Sequence, residues 1–349
     1  MKLLFIAPSN SIHSKKWIEY FLPKHEIYLI SFYKKTIEIN HRVNYLELTS
    51  LFSLFKNFNT LTYYISNADL VHQHYLGKFS WLMIFIKRPL ILSPWGSDVK
   101  FVNKTSLKGI LINRLFKKAK LITIDAEYMS DHVTKFGNLN QKIKRINFGT
   151  DTSFFAYREC SEKKLNDVFK IISLRNLEKI YCIEDLVESI NLIPTKYKDR
   201  INVDIYGGGS EKENLVGLVK QHSLSDIIHF KGRFKYDILP KILNQYDLYI
   251  STSSSDAGLA ASTSEAMSSG TLVLSSDNSE NKYWIIGRGL LYKTNDIEEL
   301  SQKIIESINL SNVERKKLIE KARNKVVKEN DYNGEMKKME ILYSSVCKR

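Results

Sequence analysis

Short runs of apolar and β-branched residues alternate along the chain with longer amphipathic segments. The apolar runs are residues 3–7, 27–31, 70–72, 89–93 and 121–124, then 170–174, 202–206, 227–230, 248–251, 271–275 and 290–292. Strands of this almost continuously apolar kind, separated by segments of helix length, are typical of parallel sheets with helices on both faces. The pattern therefore predicts an α/β protein.

The alternation occurs twice, with an interruption at residues 151–167, which are charged and show no clear periodicity. The 349 residues have the length for two domains, so we predict two Rossmann-like parallel-sheet domains at residues 1–155 and 165–330. We expect residues 331–349 to form a C-terminal helix that packs back towards the N-terminal domain. Ligands of open α/β sheets bind at the carboxyl ends of the strands, and two such sheets facing each other predict an interdomain cleft.

The composition excludes several classes of protein. Residues are 43% hydrophobic and 26% charged, with a mean hydropathy of -0.25, so the chain can form cores and is not a disordered protein. No apolar run approaches the roughly 20 residues of a membrane-spanning helix, and the first run ends at Pro8, too early for a signal peptide. Cys160, Cys182 and Cys347 are an odd set without metal-ligand spacing, which argues against a disulfide scaffold or a zinc site. We expect a cytoplasmic protein.

The net charge of +14 comes almost entirely from the first half of the chain. Residues 1–150 contain 22 basic and 9 acidic side chains, whereas residues 151–349 contain 30 and 29. This asymmetry indicates an anionic partner, such as nucleic acid, an acidic lipid surface or a phosphorylated acceptor. Residues 106–120 have the pattern of a basic amphipathic helix, which fits either a membrane surface or an ordinary sheet-covering helix with a lysine face.

The serine-rich segment 251–270 follows a strand of the second half and is the densest unusual stretch of the sequence. Residues 258–262 would open a helix whose free N–H groups suit a diphosphate. Ser262 and Glu265 also fit a capping box, in which Glu265 only bonds the backbone. Spacing alone leaves both interpretations open.

Two further segments follow strands of the same half. Arg175 and Lys179 come directly after a buried strand, where cations could neutralise a diphosphate, and the glycines at 207–209 permit a close backbone approach. Ordinary surface turns use the same residue types. All three segments lie at carboxyl ends of strands, so one crevice could collect them.

Polar and aromatic side chains also follow strands of the first half: Ser9, Asn10 and His13, then His72 and His74, then Trp95 and Asp98. We expect the loops that carry them to face the cleft and to bind a sugar. For Trp95 or His72 taken alone, a place in the core is the more common role. No Gly-x-Gly-x-x-Gly, Walker-type loop or nucleophile elbow is present, which removes the main support for a dinucleotide oxidoreductase, a nucleotide triphosphatase or a serine hydrolase.

The ordered set of motifs resembles the family-4 glycosyltransferases of the group 1 type, which have the GT-B fold. The resemblance spans nearly the whole chain and is carried by residues 5–8, 71–74, 95–98, 147–155, 175 with 179, 206–209, 265–270 and 275–277. It implies retaining transfer of a hexose or N-acetylhexosamine from a nucleotide diphosphate-sugar, in particular a UDP-sugar, without an essential metal or other cofactor. Members of this kind commonly build bacterial surface polysaccharide, such as O-antigen, capsule or glycolipid, on glycan acceptors that are often lipid-linked. The protein would then be cytoplasmic and peripheral on the inner face of the membrane.

The resemblance also implies roles for individual residues. The catalytic set would be Arg175 and Lys179, which stabilise the departing diphosphate, together with Asp98 and His74. Glu265 would accept hydrogen bonds from the ribose hydroxyls. The other implied donor-binding residues are Asp256, Gly208, Gly209, Gly258, Leu259, Ala260, Ser262 and Thr263, and the implied acceptor-binding residues are Ser9, Asn10, His13 and Trp95.

Three positions depart from the family pattern. Members often have two glutamates separated by seven residues, but Ala257 stands eight before Glu265 and the nearest acid is Asp256. Trp95 stands where many members have a histidine, which leaves Asp98 or His74 to contact the sugar. The basic pair is spaced by four residues rather than five.

Two other functions remain as alternatives. A nucleotide-sugar epimerase on the same fold would turn over the donor without an acceptor. A nucleic-acid-binding protein would explain the basic half, but the lysines and arginines are not interleaved with an aromatic RNA-binding motif and no helix-turn-helix or finger signature appears. We therefore expect no nucleic-acid partner.

Overall fold

A computed structural model of the chain describes residues 1–77, 79–157, 168–256, 258–278 and 280–347. Cys160, Ala257 and most of the predicted linker lie outside the described residues. The chain divides into two compact units, of which unit 1 is Met1–Phe148 with Asn333–Arg349 and unit 2 is Gly149–Tyr332.

Each unit contains one parallel sheet. In unit 1 the described strands are β1 (Lys2–Ile6), β2 (Glu26–Ser31), β3 (Asn44–Glu47), β4 (Leu70–His74), β5 (Leu90–Ser93), β6 (Leu121–Ile124) and β7 (Ile143–Arg145). In unit 2 they are β8 (Phe169–Ser173), β9 (Ile201–Tyr206), β10 (Ile228–Gly232), β11 (Leu248–Ser251), β12 (Leu272–Ser276) and β13 (Leu290–Tyr292). Their order is β3-β2-β1-β4-β5-β6-β7 in the first sheet and β10-β9-β8-β11-β12-β13 in the second.

Helices connect most of the strands that follow each other along the chain, as is usual for parallel pairing, and a loop joins β2 to β3. The described helices of the first part of the chain are α1 (Ile12–Phe21), α2 (Leu51–Lys56), α3 (Phe58–Asn67), α4 (Leu107–Lys118) and α5 (Met129–Thr134). Those that follow are α6 (Ile183–Leu192), α7 (Thr195–Lys198), α8 (Lys212–Gln221), α9 (Leu239–Leu243), α10 (Ala261–Ser269), α11 (Asn281–Ile285), α12 (Ile297–Asn309), α13 (Asn312–Glu329) and α14 (Tyr332–Cys347). Short 3₁₀ helices lie at Ser80–Phe85, Asn140–Lys142, Lys179–Tyr181 and Tyr236–Ile238.

The two faces of the first sheet are covered by different helices. Leu4 and Ile6 of β1 belong to a core cluster with residues of α2, α3, α4 and α5. Phe5 points to the other face and packs against Phe21 of α1 and Tyr343 of α14. This alternation along β1 places the last helix of the chain on the α1 side of unit 1.

Two described strands of the first sheet have no counterpart among the predicted apolar runs. Strands β3 and β7 lie at the two edges of the sheet, and each has exposed or half-buried positions. An edge strand does not need a continuous apolar run, so polar residues conceal it in the sequence. Strand β4 is also longer than predicted, because it continues to His74.

The second sheet is doubly wound, and its direction of growth reverses between β8 and β11. From β8 the chain adds β9 and β10 on one side, then returns to add β11, β12 and β13 on the other. Apolar cores cover both faces, one with α6, α8 and α12 and the other with α9, α10, α11 and α13. The crevice at such a reversal, outside the carboxyl ends of the strands, is where open α/β sheets bind ligands.

Candidate active site

A buried ion pair bridges the loops after β8 and β11, at the reversal of the second sheet. The Arg175 guanidinium donates from Nη2 to the Asp256 carboxylate, and the two side chains are only 10% and 8% exposed. The guanidinium carbon also lies 4.3 Å from the centre of the Tyr181 ring. Burial alone would lower the pKa of Arg175, but the nearby Asp256, Tyr249 and Tyr181 groups outweigh it and raise that pKa. The Arg175 guanidinium therefore stays charged at every physiological pH, and Asp256 balances part of that charge.

The same pair retains free hydrogen-bonding capacity. Arg175 Nη1 reaches Ser262 Oγ at 3.5 Å. Within the described residues, Arg175 Nε and Asp256 Oδ2 are buried and have no hydrogen-bond partner. Unsatisfied buried polar atoms are costly, and they are typical of sites that bind a polar ligand.

Helix α10 begins at this pair. Its N-cap residue is Ala260, and no side chain of the described residues caps it. Ser262 and Glu265 lie inside the helix, and Ser262 Oγ instead bonds Tyr249 Oη at 2.8 Å. The capping-box alternative is therefore wrong, and the backbone at residues 258–262 presents the positive end of the helix.

Glu265 lies one turn further along α10 and is 6% exposed. Its Oε1 accepts a hydrogen bond of 2.9 Å from Tyr236 Oη. Burial and the Glu265 charge both raise the pKa of Tyr236, which keeps the phenol protonated as a donor. The Tyr236 ring stacks on Phe154 with ring centres 5.8 Å apart.

Tyr236 was not predicted from the sequence. It follows β10 without a motif around it, and only the fold places it beside Glu265. The segment after residue 148 is held to α10 by a hydrogen bond of 2.5 Å between Thr150 Oγ1 and Ser264 Oγ. The motif at residues 147–155 therefore contributes its Phe154 ring to the surroundings of Glu265.

The three glycines after β9 pack against the loop that carries Arg175. A Cβ on Gly207, whose φ is +136°, would lie 2.5 Å from the Arg175 carbonyl oxygen, and one on Gly209 would lie 2.1 Å from that of Leu177. We predicted that these glycines let a ligand come close to the backbone. At these two positions the structure places another segment of protein backbone there instead. A Cβ on Gly208 would lie 3.1 Å from Nε of Arg233, a further cation that the sequence analysis missed.

Lys179 is exposed and opens the 3₁₀ helix at Lys179–Tyr181. Thr252 Oγ1 donates to the Tyr181 carbonyl at 2.8 Å, and Ser254 N donates to that of Ile180 at 3.0 Å. These bonds hold the Lys179 segment against the loop after β11. Lys179 has no ion pair among the described residues, so its ammonium is available to a ligand.

The polar residues after β1 have mostly structural contacts. Ser9 Oγ donates to the Tyr33 carbonyl at 3.0 Å, and Asn10 is exposed. The His13 ring lies 4.3 Å from that of Phe148 and 6.1 Å from that of Trp95, centre to centre. His13, Trp95 and Phe148 thus form an aromatic group within unit 1.

His72 and His74 lie inside β4 rather than in the loop after it, so the expectation that both face a cleft from a loop is wrong. His72 is bonded through Nδ1 to Tyr343 Oη and through Nε2 to Ser93 Oγ, both at 2.6 Å. Burial, reinforced by His13, lowers the pKa of His74 to about 3. Burial also lowers the pKa of His72 well below its ordinary value, so both rings are neutral at physiological pH. His74 Nδ1 has no partner among the described residues.

Asp98 is buried and supports the backbone of its own loop. Its Oδ2 accepts from Leu76 N at 2.7 Å and its Oδ1 from Trp95 N at 3.0 Å. These contacts fix Trp95, whose Nε1 has no partner among the described residues. They are the contacts of a positioning residue, and a direct contact of Asp98 with sugar stays a prediction.

Among the residues that the structure describes, none of the helices combines the length and the hydropathy of a membrane span. No group of three or more His, Cys, Asp or Glu side chains there could hold a metal ion.

Solved structures share this architecture over the whole chain. HepE of Anabaena in complex with UDP has a TM-score of 0.79 at 14% identity, covering 99% of this chain and 100% of that one. The lipopolysaccharide outer core galactosyltransferase WaaB has a TM-score of 0.71 at 15% identity, covering 99% of each chain. The two doubly wound units are those of the GT-B fold.

Two family models match the sequence. One is described as glycosyl transferases group 1 and matches residues 158–325, and the other as glycosyl transferase 4-like and matches residues 2–126. Together they cover most of the chain. The chain therefore belongs to the group 1 glycosyltransferases of family 4 and is a glycosyltransferase, as its motifs indicated.

One curated relative also matches part of the sequence. The GtfA subunit of the UDP-N-acetylglucosamine–peptide N-acetylglucosaminyltransferase of Streptococcus pneumoniae serotype 4 is 30% identical over 109 residues. The match covers 31% of this chain and 21% of that protein, so it spans about a fifth of the relative's length.

Proposed function

We propose that the chain is a retaining glycosyltransferase that moves a hexose or N-acetylhexosamine from a UDP-sugar to a lipid-linked glycan acceptor in bacterial surface polysaccharide synthesis. The observation that carries the donor half of the proposal is the convergence of Arg175, Asp256 and the start of α10 at the reversal of the second sheet. HepE has been solved with UDP-glucose, and the pneumococcal relative is named for UDP-N-acetylglucosamine, which supports a UDP-sugar donor.

The donor would lie along α10. Its diphosphate accepts hydrogen bonds from the backbone at residues 258–262, where the positive end of the helix favours an anion. Glu265 lies three residues beyond Ser262, about 4.5 Å along the helix axis at 1.5 Å per residue, and accepts from the ribose hydroxyls. Thr263 lies on the first turn between them.

Stabilisation of the charge that develops on the diphosphate would lower the barrier to transfer. As the glycosidic bond breaks, negative charge develops on the diphosphate, and Arg175 and Lys179 stabilise it without reorganising. These two cations take the role that a metal ion has elsewhere, so we propose transfer without an essential metal or other cofactor. Departure of the diphosphate on one face of the sugar lets the acceptor hydroxyl attack that same face while its proton passes to an oxygen of the departing diphosphate, which retains the configuration.

Asp256 would have two tasks. One carboxylate oxygen holds Arg175. The other, Oδ2, is buried without a partner among the described residues and accepts from a hydroxyl of the donor sugar. Asp256 thereby replaces the first glutamate of the family pattern.

Unit 1 would bind the acceptor. Trp95 and His13, whose rings meet edge to face, would contact the acceptor, and Ser9 and Asn10 lie on the adjoining loop after β1. We propose that His74 supports Trp95, because its ring centre lies 5.9 Å from that of Trp95.

Helix α4 would place the enzyme on the inner face of the cell membrane, as a cytoplasmic and peripheral protein. Its inner face buries Ile112, Leu115 and Phe116, as a sheet-covering helix does. Its outer face combines cations with Leu107, which is 82% exposed, and Ile110, which is 43% exposed. Apolar and basic side chains together favour an anionic lipid surface, at about 1 kcal/mol for each cation.

Neutralising the cations Lys108, Arg114, Lys117, Lys118 and Lys120 tests this placement. The variant should lose co-sedimentation with phosphatidylglycerol liposomes and keep UDP binding. Unchanged co-sedimentation would remove the membrane part of the proposal.

A panel of nucleotide-sugars tests the donor. The true donor should raise the melting temperature most, since ligand at 100 times its Kd adds about 2.7 kcal/mol. The anomeric configuration of the product, measured by NMR, then tests retention. Stabilisation by no UDP-sugar, or a product of inverted configuration, would contradict the proposal.

A further inference from the structure

A cavity of about 480 Å³ lies wholly within unit 1, between the loop after β4 and helix α4. Its lining includes Gly77, Trp81, Lys108, Leu111, Ile112 and Leu115. We call it the α4 cavity. Its volume lies within the range of about 300–1,000 Å³ that ligand pockets have. Apart from Gly77 and Ser80, its described lining residues are aliphatic or aromatic, and the charged one among them is the cation Lys108.

The loop that forms one wall of the α4 cavity has an unusual backbone. Tyr75 and Phe79 both adopt left-handed conformations, with φ of 60° and 62°. A Cβ on Gly77 would lie 2.2 Å from Tyr33 Oη, so a larger residue there would displace the Tyr33 side chain. Such conformations cost about 1–3 kcal/mol each, persist only where the surroundings impose them, and cluster at ligand sites.

The surface around the cavity is apolar and basic. Large apolar side chains are exposed on α4 and on the 3₁₀ helix at Ser80–Phe85, namely Leu107 at 82%, Ile110 at 43% and Phe85 at 73%. Residues 50–120 contain eleven lysines and arginines but only two aspartates. Asp98 is buried and Asp69 accepts from Lys2 N, so little negative charge opposes these cations.

We propose that the α4 cavity binds the hydrocarbon chain of a phosphorylated isoprenoid lipid, with Lys108 paired to its phosphate. The proposal rests on the lipid-linked acceptor of the proposed function and assigns a binding site to its lipid part. Leu111, Ile112 and Leu115 form one apolar wall and Trp81 another, which suits a branched hydrocarbon chain. Lys108 is exposed at the start of α4, where its ammonium meets an anionic head group while the chain enters between the walls.

Farnesyl phosphate is a short probe of this chemistry, and calorimetric titration of the full chain below the critical micelle concentration measures its binding. Farnesol and inorganic phosphate form separate arms. We expect farnesyl phosphate to bind more tightly than farnesol, and inorganic phosphate to compete poorly. Equal binding by inorganic phosphate alone would reduce the site to an exposed cation and overturn the proposal.

Two substitutions separate the apolar and the charged contributions. Leu111→Trp fills the cavity and should weaken farnesyl phosphate binding at least about tenfold, through loss of apolar burial. Its matched control is Leu107→Trp, on the same helix but outside the lining. Lys108→Gln should weaken farnesyl phosphate several-fold and leave farnesol unchanged, whereas Lys144→Gln, at an exposed cation of unit 1 outside the lining, should leave both within about twofold.

Equal losses in the Leu111 and Leu107 variants would overturn the proposal, because the lipid would then only coat the surface. Urea unfolding of each variant checks that the fold is intact. If Leu111→Trp does not fold, Leu111→Ala replaces it, with weaker farnesyl phosphate binding expected from the lost wall.

UDP titration distinguishes a failure of this inference from a failure of the proposed function. Variants at Leu111 and Lys108 should bind UDP like the wild type, while Glu265→Ala should lose UDP affinity and keep farnesyl phosphate. Normal UDP binding without any farnesyl phosphate binding rejects the lipid site alone. The converse result rejects the donor site and leaves the α4 cavity as a lipid site.

Discussion

Substitution of Glu265 by alanine gives the sharpest test of the donor site. The buried carboxylate is proposed to accept hydrogen bonds from the ribose hydroxyls, while its known partner, Tyr236 Oη, lies 2.9 Å away. Hydrogen bonds to a charged group contribute about 1.5–3 kcal/mol each. Water entering the space left by Glu265 would restore part of this, so we expect a total loss of about 1.5–3 kcal/mol, or about 10-fold to 150-fold in Kd.

The fold should survive this change. Glu265→Ala removes the acceptor of a tyrosine that is 44% exposed, and water can satisfy the freed hydroxyl. The unfolding free energy should therefore fall by only about 1 kcal/mol. Urea unfolding measures it, and calorimetry measures UDP affinity of the same sample.

Uridine assigns the lost energy to the correct part of the ligand. Because ribose is common to uridine and UDP, Glu265→Ala should weaken both by a similar factor, whereas Arg175→Ala should weaken UDP and leave uridine nearly unchanged. Tyr236→Phe is the matched control, since it keeps the carboxylate and should change UDP affinity by less than about threefold. An unaltered UDP titration of a folded Glu265→Ala protein would refute the assignment.

Three other predictions concern stability. Asp256→Ala leaves the Arg175 charge buried and unpaired, which should lower the free energy of unfolding in urea by about 3–5 kcal/mol. Replacing both residues by Leu and Met should recover much of this loss. A loss below about 1 kcal/mol would mean that water already screens the pair. The pKa of His74 is lowered to about 3 in the folded state, whereas in the unfolded chain it has its ordinary value of about 6.5. The stability that His74 contributes is therefore present above pH 6.5 and is lost as the pH falls towards 3, because only the unfolded chain takes up the proton, by at most about 1.4 kcal/mol per pH unit. His74→Gln should flatten this slope in urea titrations at pH 7, 6 and 5. Gly209→Ala should destabilise the fold because its Cβ would lie 2.1 Å from a backbone oxygen. Gly217→Ala lies in α8 with nothing within 4 Å of its Cβ, so it should stabilise the fold by up to about 1 kcal/mol. Similar melting temperatures for the two variants would contradict the packing argument.

The elements of both units could be predicted because burial on two faces leaves a local signature. Strands β1, β8 and β11 are almost fully buried, so each appears in the sequence as an apolar run. Edge strands β3 and β7 leave no such run, since one side of each is unpaired. His74 shows the same limit in another form, because the sequence does not mark where a buried strand ends once histidines replace aliphatic residues.

Residues of the candidate site could be predicted only where they belong to a recognisable sequence motif. Arg175 and Glu265 were recognised from the pattern around them, and both lie at the reversal of the second sheet. Tyr236 and Arg233 have no motif, and the sequence offers no signal that would single them out. The capping-box interpretation of Ser262 and Glu265 failed because spacing does not reveal at which residue a helix begins.

The sequence by itself determined the alternation of strands and helices and the family, because hydrophobic periodicity and short motifs are local properties of the chain. Tertiary structure alone decided that Asp256 pairs with Arg175, 81 residues away, and that Tyr236 donates to Glu265. Such partners meet through the order of strands in the sheet, and strand order depends on how the whole unit buries its apolar faces. That choice is made by the summed packing of many residues, so no single segment of the sequence contains it.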